Sequence, residues 1–336
     1  MVSTSTSNCF GLLSKYRTEL MGISVIWIML FHGTFHVDIN FFPVKIGFAG
    51  VDIFFMLSGF GLYFASLKKP SLLKFYKSRF IRIFPVYAVV ILLYFALKGT
   101  FDIKEYLLIL STVGFWTGEV SFEWFVPSIV VFYLGFPLYI KIFRKYPNIL
   151  TILAILGPLA FIIMTVLMDI NLGLKVLFFT RIPIFFVGVW LAKQSQNTTT
   201  PLYSKPQFRI ALYILSLIGF AVLYYIHTYV NAYWLWKGLY WLPILLIAPG
   251  LSICLCQLLD KISSIRLSHI LVFFGSISLE LYLLHERIFY PYIKPWTEKL
   301  GISEYLVLLM AGILSIICAY LLHKSMNFIL GKLKLL

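Results

Sequence analysis

LFHGTFHVDINFFPVKIGFAGVDIFFMLSGF, Leu30 to Phe60, joins the end of one apolar run to the start of the next through a short polar connection. A helix needs about 17–25 predominantly apolar residues to cross a bilayer, and the two runs extend over 20–36 and 47–67. Two such segments in succession make a membrane hairpin. His32 lies near the end of the first run and Asp52 near the start of the second. Ionisable side chains at membrane depth are costly and usually face a protein interior or a water-filled cavity, which makes this hairpin the candidate active site.

The rest of the chain repeats the pattern. Its 336 residues are 61% hydrophobic and only 12% charged, with a mean hydropathy of +0.93, too much apolar surface for one soluble core. Spans are expected at roughly 20–36, 47–67, 80–97, 123–142, 149–168, 176–194, 209–227, 235–257, 270–289 and 304–323. The fold class is thus all-α, a polytopic membrane bundle of about ten transmembrane helices in a single domain, 1–336. The apolar segment 105–116 is too short to cross and is expected at the interface. Aromatic residues such as Tyr16, Phe41, Trp116, Tyr233, Trp234 and Trp296 cluster at span ends, as interfacial belts require.

The formal charge of +15 does not indicate nucleic acid, because no basic patch with stacking aromatics stands on a soluble module. About nineteen of the 28 Lys and Arg residues fall in loops on the side of the N-terminus and about eight on the other, which places both termini in the cytoplasm. The first eighteen residues are polar and no small-residue cleavage site follows the first run, so that run is expected to be an uncleaved anchor. The polar stretch around Ser195–Gln207, with Pro201 and Pro206, reads as a linker, and the Asn197 sequon inside it as chance. Cys254, Cys256 and Cys318 sit in apolar runs as packed small hydrophobes.

With this topology several polar groups reach the outer half of the bundle: His32, Asp52, Glu123, Arg181, and a set on span 9 comprising Glu280, His285, Glu286 and Arg287. Pairing that merely pins helices is an equal expectation for Arg181 and Glu280. For His32 a catalytic role is favoured. A neutral imidazole takes a proton from a hydroxyl while a carboxylate fixes its tautomer, and Asp52 or Glu123 is the candidate for that carboxylate. His36, at i+4 from His32, suggests a metal pair, but no third ligand follows at a readable spacing and no metal is expected. His227, His269 and His323 sit near span ends and read as bland. On the cytoplasmic side, Arg79 and Arg82 share a helix face and present two guanidinium groups suited to phosphate.

Taken together, the His32 hairpin, GFAGVDIFFMLSGF (Gly47–Phe60), SRFIRIFPVY (Ser78–Tyr87), FEWFVPSIVVFYLGFPL (Phe122–Leu138) and SLELYLLHERIF (Ser278–Phe289) resemble acyltransferase family 3, in family order and over nearly the whole chain. These are integral-membrane acyltransferases, often O-acetyltransferases of surface polysaccharide, lipopolysaccharide or peptidoglycan. By that resemblance His32 matches the essential histidine, and Arg79 and Arg82 match the Arg-x-x-Arg motif associated with the acyl-coenzyme A donor. Asp52 and Ser58 match the Gly-Val-Asp signature, Trp124 the tryptophan of the fourth span, and His285 the late Tyr-x-x-His. Many members carry an arginine eleven positions before the histidine; here Met21 stands there, with Arg17 one turn earlier.

The resemblance implies a multi-pass enzyme of the bacterial cytoplasmic membrane, without the extracellular esterase-like domain fused to some members. Its donor is expected to be acyl-coenzyme A, most simply acetyl, and its acceptor a surface or lipid-linked saccharide. Membrane lipids and the glycan-building machinery are its expected partners. Arg181 or Tyr282 is expected to stabilise the oxyanion. A saccharide transporter or flippase is the alternative, although neither internal repeats nor discontinuous helices are visible in the sequence. A catalytically silent subunit is a third reading, resting on Met21.

Overall fold

The computed structural model describes residues 10–120, 122–196, 206–262 and 265–333. The Asn197 sequon and most of the linker around it lie outside the described residues. The principal helices are α1 (Arg17–Gly33), α2 (Ala49–Leu67), α3 (Leu72–Lys98), α4 (Phe125–Phe143), α5 (Pro147–Leu167), α6 (Val176–Ser195), α7 (Pro206–Tyr229), α8 (Ile244–Ile262), α9 (Ile265–Ser276), α10 (Ser278–Leu284) and α11 (Glu304–Lys332). Among the described residues, α2 to α8 and α11 are each long and apolar enough to cross a membrane. The chain is an all-α polytopic bundle.

Two local breaks depart from uniform spans. The span expected at 270–289 is instead a pair, Ile265–Ser276 and Ser278–Leu300, bent by 61°. A discontinuous helix is therefore present that the hydropathy pattern does not reveal. The span expected to begin at 235 starts only at Ile244, because 233–241 is folded into two short 3-10 turns. Gly238, at φ +133°, ends the first turn. The 105–116 segment forms two short helices, Ile103–Leu110 and Val113–Thr117, neither long enough to cross.

The chain divides into two compact units, with the cuts falling inside helices. Unit 1 holds 10–21, Val51–Lys69 and Phe136–Val272. Its centre is the crossing of α2 and α6, where a Cβ on Gly59 would collide with the carbonyl oxygen of Phe185 and one on Gly188 with that of Met56. Small residues of this kind let membrane helices approach backbone to backbone. Ser216 on α7 donates to the Ile247 carbonyl of α8 at 3.0 Å, and Arg144 donates to the Ser66 carbonyl at 2.9 Å. Leucine, isoleucine and tyrosine side chains stay exposed along α5 and α7, the surface a lipid environment covers.

Unit 2 holds Gly22–Gly50, Pro70–Gly135 and Phe273–Leu336. A small core of Tyr290, Ile293, Val307 and Ala311 packs the segment after α10 against α11. The 33–47 connection is tied down by Trp27, whose indole donates to the Pro43 carbonyl at 2.6 Å, and by Tyr305, which donates to the Asp38 carbonyl at 3.0 Å. Ser71 caps α3 by accepting from the Lys74 amide, and Gly99 at φ +72° closes it. At 27 residues α3 is about 40 Å long, so its first turns extend past a hydrocarbon core of roughly 30 Å.

Candidate active site

The candidate site in unit 2 is built from two histidines 253 positions apart. Nδ1 of His32 lies 2.8 Å from Nε2 of His285, with the two rings 5.0 Å apart and tilted by 24°. His285 opens a π-helical segment, His285–Phe289, a distortion that recurs at functional sites. Its Nδ1 lies 2.6 Å from the Leu281 carbonyl.

These contacts set the proton positions. A carbonyl only accepts, so Nδ1 of His285 carries the hydrogen and, in the neutral ring, Nε2 offers a lone pair. His32 then donates from Nδ1 to His285, which leaves its own Nε2 lone pair open. His285 is completely buried, whereas His32 retains some accessible surface. Nδ1 of His32 is thus engaged by a second imidazole. His36 does not share a helical face with His32, because α1 stops at Gly33 and turns follow; its ring sits edge-on to Tyr290 at 6.0 Å.

Tyr282, one turn before His285, lies beside the pair, its ring 6.4 Å from that of His32 and 6.0 Å from that of His285. Its buried hydroxyl makes no well-aligned hydrogen bond and has the Glu286 carboxyl as its polar neighbour. Glu123 is buried too, and both its carboxyl oxygens lie 3.0 Å from the Val126 amide at the start of α4. Tyr87, Glu286 and Arg287 complete its polar surroundings. Arg287 pairs with Glu286 at 3.0 Å and lies over the Phe122 ring at 5.6 Å.

Asp52 and Arg181 pair within unit 1. The Arg181 fork reaches both Asp52 oxygens, each at 3.3 Å, and its other terminal nitrogen donates to Thr180 at 2.8 Å. The guanidinium also lies 5.9 Å from the Trp241 ring. Both charged side chains are fully enclosed.

A family model for the acyltransferase 3 domain matches residues 20–324, most of the chain. The chain belongs to acyltransferase family 3. No curated protein and no solved structure matches it. An acyltransferase can use a base to take the proton of the attacking group, and the open Nε2 of His32 has that character.

Arg79 and Arg82 occupy one face of α3 near its protruding end; Arg82 is exposed, and Arg79 is half-buried over Phe75 at 5.6 Å with its Nε unbonded. Ser58 lies half-buried on α2 in unit 1, and Trp124 just before α4 in unit 2. Arg17 is the first residue of α1, and its guanidinium presses on α2, where a Cβ at Gly61 would sit 2.7 Å from it.

Two features escape the sequence. His323, which reads as bland, donates from Nδ1 to the buried Glu280 carboxylate at 2.8 Å, joining α10 to α11, and its Nε2 lies 2.9 Å from the Asn327 amide nitrogen. Tyr87 beside Glu123 carries no signal in the sequence beyond its place in SRFIRIFPVY.

Proposed function

We propose that this acyltransferase moves an acyl group, most simply acetyl, from acyl-coenzyme A on the cytoplasmic side to a hydroxyl of an extracytoplasmic or lipid-linked saccharide in the bacterial cytoplasmic membrane. The observation that carries this reading is the ordered chain Leu281 carbonyl, His285, His32, which ends in a free lone pair on Nε2.

His32 takes the proton from the sugar hydroxyl as its oxygen bonds to the thioester carbonyl carbon. His285 accepts from Nδ1 throughout and holds the ring in place. The Tyr282 hydroxyl, buried beside Glu286, donates to the developing oxyanion. On collapse the carbon–sulfur bond breaks, and the His32 imidazolium returns its proton to the thiolate, giving an ester and free coenzyme A. Arg79 and Arg82 hold the coenzyme phosphates at the cytoplasmic end of α3.

Membranes carrying the His32→Ala variant should insert normally and transfer no labelled acetyl. Transfer near the wild-type rate would remove His32 from the chemistry. Arg82→Ala should raise the acyl-coenzyme A requirement; a defect confined to the acceptor would reassign the arginine pair.

A further inference from the structure

The turns that delay α8 enclose something. In unit 1, the segment 171–177 and the turns 233–241 surround a cleft of about 270 Å³, lined by Tyr233, Trp236, Trp241, Leu174, Asn171 and Lys237. The charge bias of the loops assigns this end of the unit to the outside.

One wall is aromatic. Trp236 stacks on Tyr240 at 4.3 Å and meets Trp241 edge-on at 5.9 Å, yet half of its surface stays exposed. The other wall is polar. Lys237 is almost wholly buried, ion-paired to Asp169, and 5.3 Å from the Tyr233 ring. Asn171 uses its carbonyl oxygen to accept from the Gly173 amide at 2.9 Å, leaving its amide nitrogen as a donor. Gly238 fixes the frame: at φ +133° it favours glycine, and a Cβ there would lie 2.7 Å from Ile162.

An interfacial aromatic belt accounts for exposed tyrosine and tryptophan rings, but not for a cleft between them or for a buried lysine lining it. An acyl chain would gain nothing from the Asn171 amide nitrogen or the Lys237 ammonium on the polar wall. A sugar ring satisfies both walls, with its C–H face on the negative face of an indole and its hydroxyls on the polar rim. The volume is just below the roughly 300–1,000 Å³ of sites for larger ligands, which suits one pyranose and part of its neighbour.

We propose that this cleft binds a hexopyranose ring of the acceptor, and that Asp52 and Arg181 are positioning residues for it, acting through Trp241. The inference rests on the saccharide reading given above. Asp52 and Thr180 fix the guanidinium, and the guanidinium lies against the Trp241 ring that forms part of the cleft wall. The aspartate of the second span thereby serves the acceptor and not the imidazole.

The test uses the full-length protein in phospholipid nanodiscs, titrated with the methyl glycosides of glucose, galactose, mannose, rhamnose and N-acetylglucosamine, with tryptophan fluorescence and saturation-transfer NMR as readouts. At least one glycoside should bind, with the strongest saturation on the C–H protons of one ring face. Trp236→Ala should weaken it by about tenfold or more, and Trp236→Phe by less. Arg181→Lys should weaken binding in the wild type but add nothing to Trp241→Phe, the non-additivity expected when one residue acts through another.

Failure of all five glycosides to bind, or binding indifferent to Trp236→Ala, overturns the cleft; additive effects of Arg181→Lys and Trp241→Phe overturn the positioning role. The two readings fail separately. Glycoside binding that survives in a wild-type protein unable to transfer acetyl sinks the enzymatic reading alone. Transfer with an unchanged acceptor KM in Trp236→Ala sinks the cleft alone.

Discussion

The imidazoles of His32 and His285 meet nitrogen to nitrogen at 2.8 Å, and the second is anchored on the Leu281 carbonyl at 2.6 Å. The order of donors along this chain makes His285 the residue that orients the His32 ring.

His285→Ala should therefore lower acetyl transfer by about a hundredfold or more, the scale of a lost acid–base function. His285→Gln keeps a side-chain oxygen able to accept from Nδ1 of His32 and should retain more activity than Ala. Initial rates normalised to membrane protein check the ranking, and equal rates for the two variants would refute it.

Tyr282→Phe separates chemistry from folding. The hydroxyl it removes makes no well-aligned hydrogen bond, so the melting temperature of the detergent-solubilised protein should stay the same or rise slightly. Transfer should fall by about a hundredfold if the hydroxyl steadies the oxyanion. An unchanged rate takes Tyr282 out of the reaction.

The Asp52–Arg181 pair is enclosed in unit 1, so removing one partner strands a buried charge. Asp52→Ala should cost about 3–5 kcal/mol. The double variant Asp52→Asn with Arg181→Met removes both charges and should melt above the Asp52→Ala single variant. Thermal unfolding followed by size-exclusion fluorescence reads both, and a double variant less stable than the single one contradicts the pairing.

Gly188→Ala should destabilise the protein, because the added methyl meets the Met56 carbonyl and the helices must part, at about 1–3 kcal/mol for overpacking. Gly157→Ala, where nothing lies within 4 Å of the added carbon, should be neutral or slightly stabilising. Comparable folded yields for both would show that α2 and α6 are not in backbone contact.

Most of the span positions are legible in the chain because lipid demands long apolar runs, and that signal is local. His32, His285 and the Arg79–Arg82 pair stand out because polar residues in or near such runs are rare. The partnership of His32 with His285 is not legible, since it joins positions 253 apart and no periodicity encodes it. Either Asp52 or Glu123 suited His32 by depth alone; the fork of Arg181 on Asp52 and the amide of Val126 on Glu123 show where those carboxylates are engaged. Hydropathy also runs straight through Ile277 and Gly238, where the backbone bends or turns, because it measures side-chain character and not φ and ψ.

The Leu281–His285–His32 chain also bears on how the protein enters the bilayer. A catalytic histidine backed by aspartate would bring a formal negative charge into hydrocarbon, whereas a peptide oxygen supporting two uncharged rings brings none. The two imidazoles can thus be inserted as an electrically silent pair, and charge need arise on them only while a proton is being taken up.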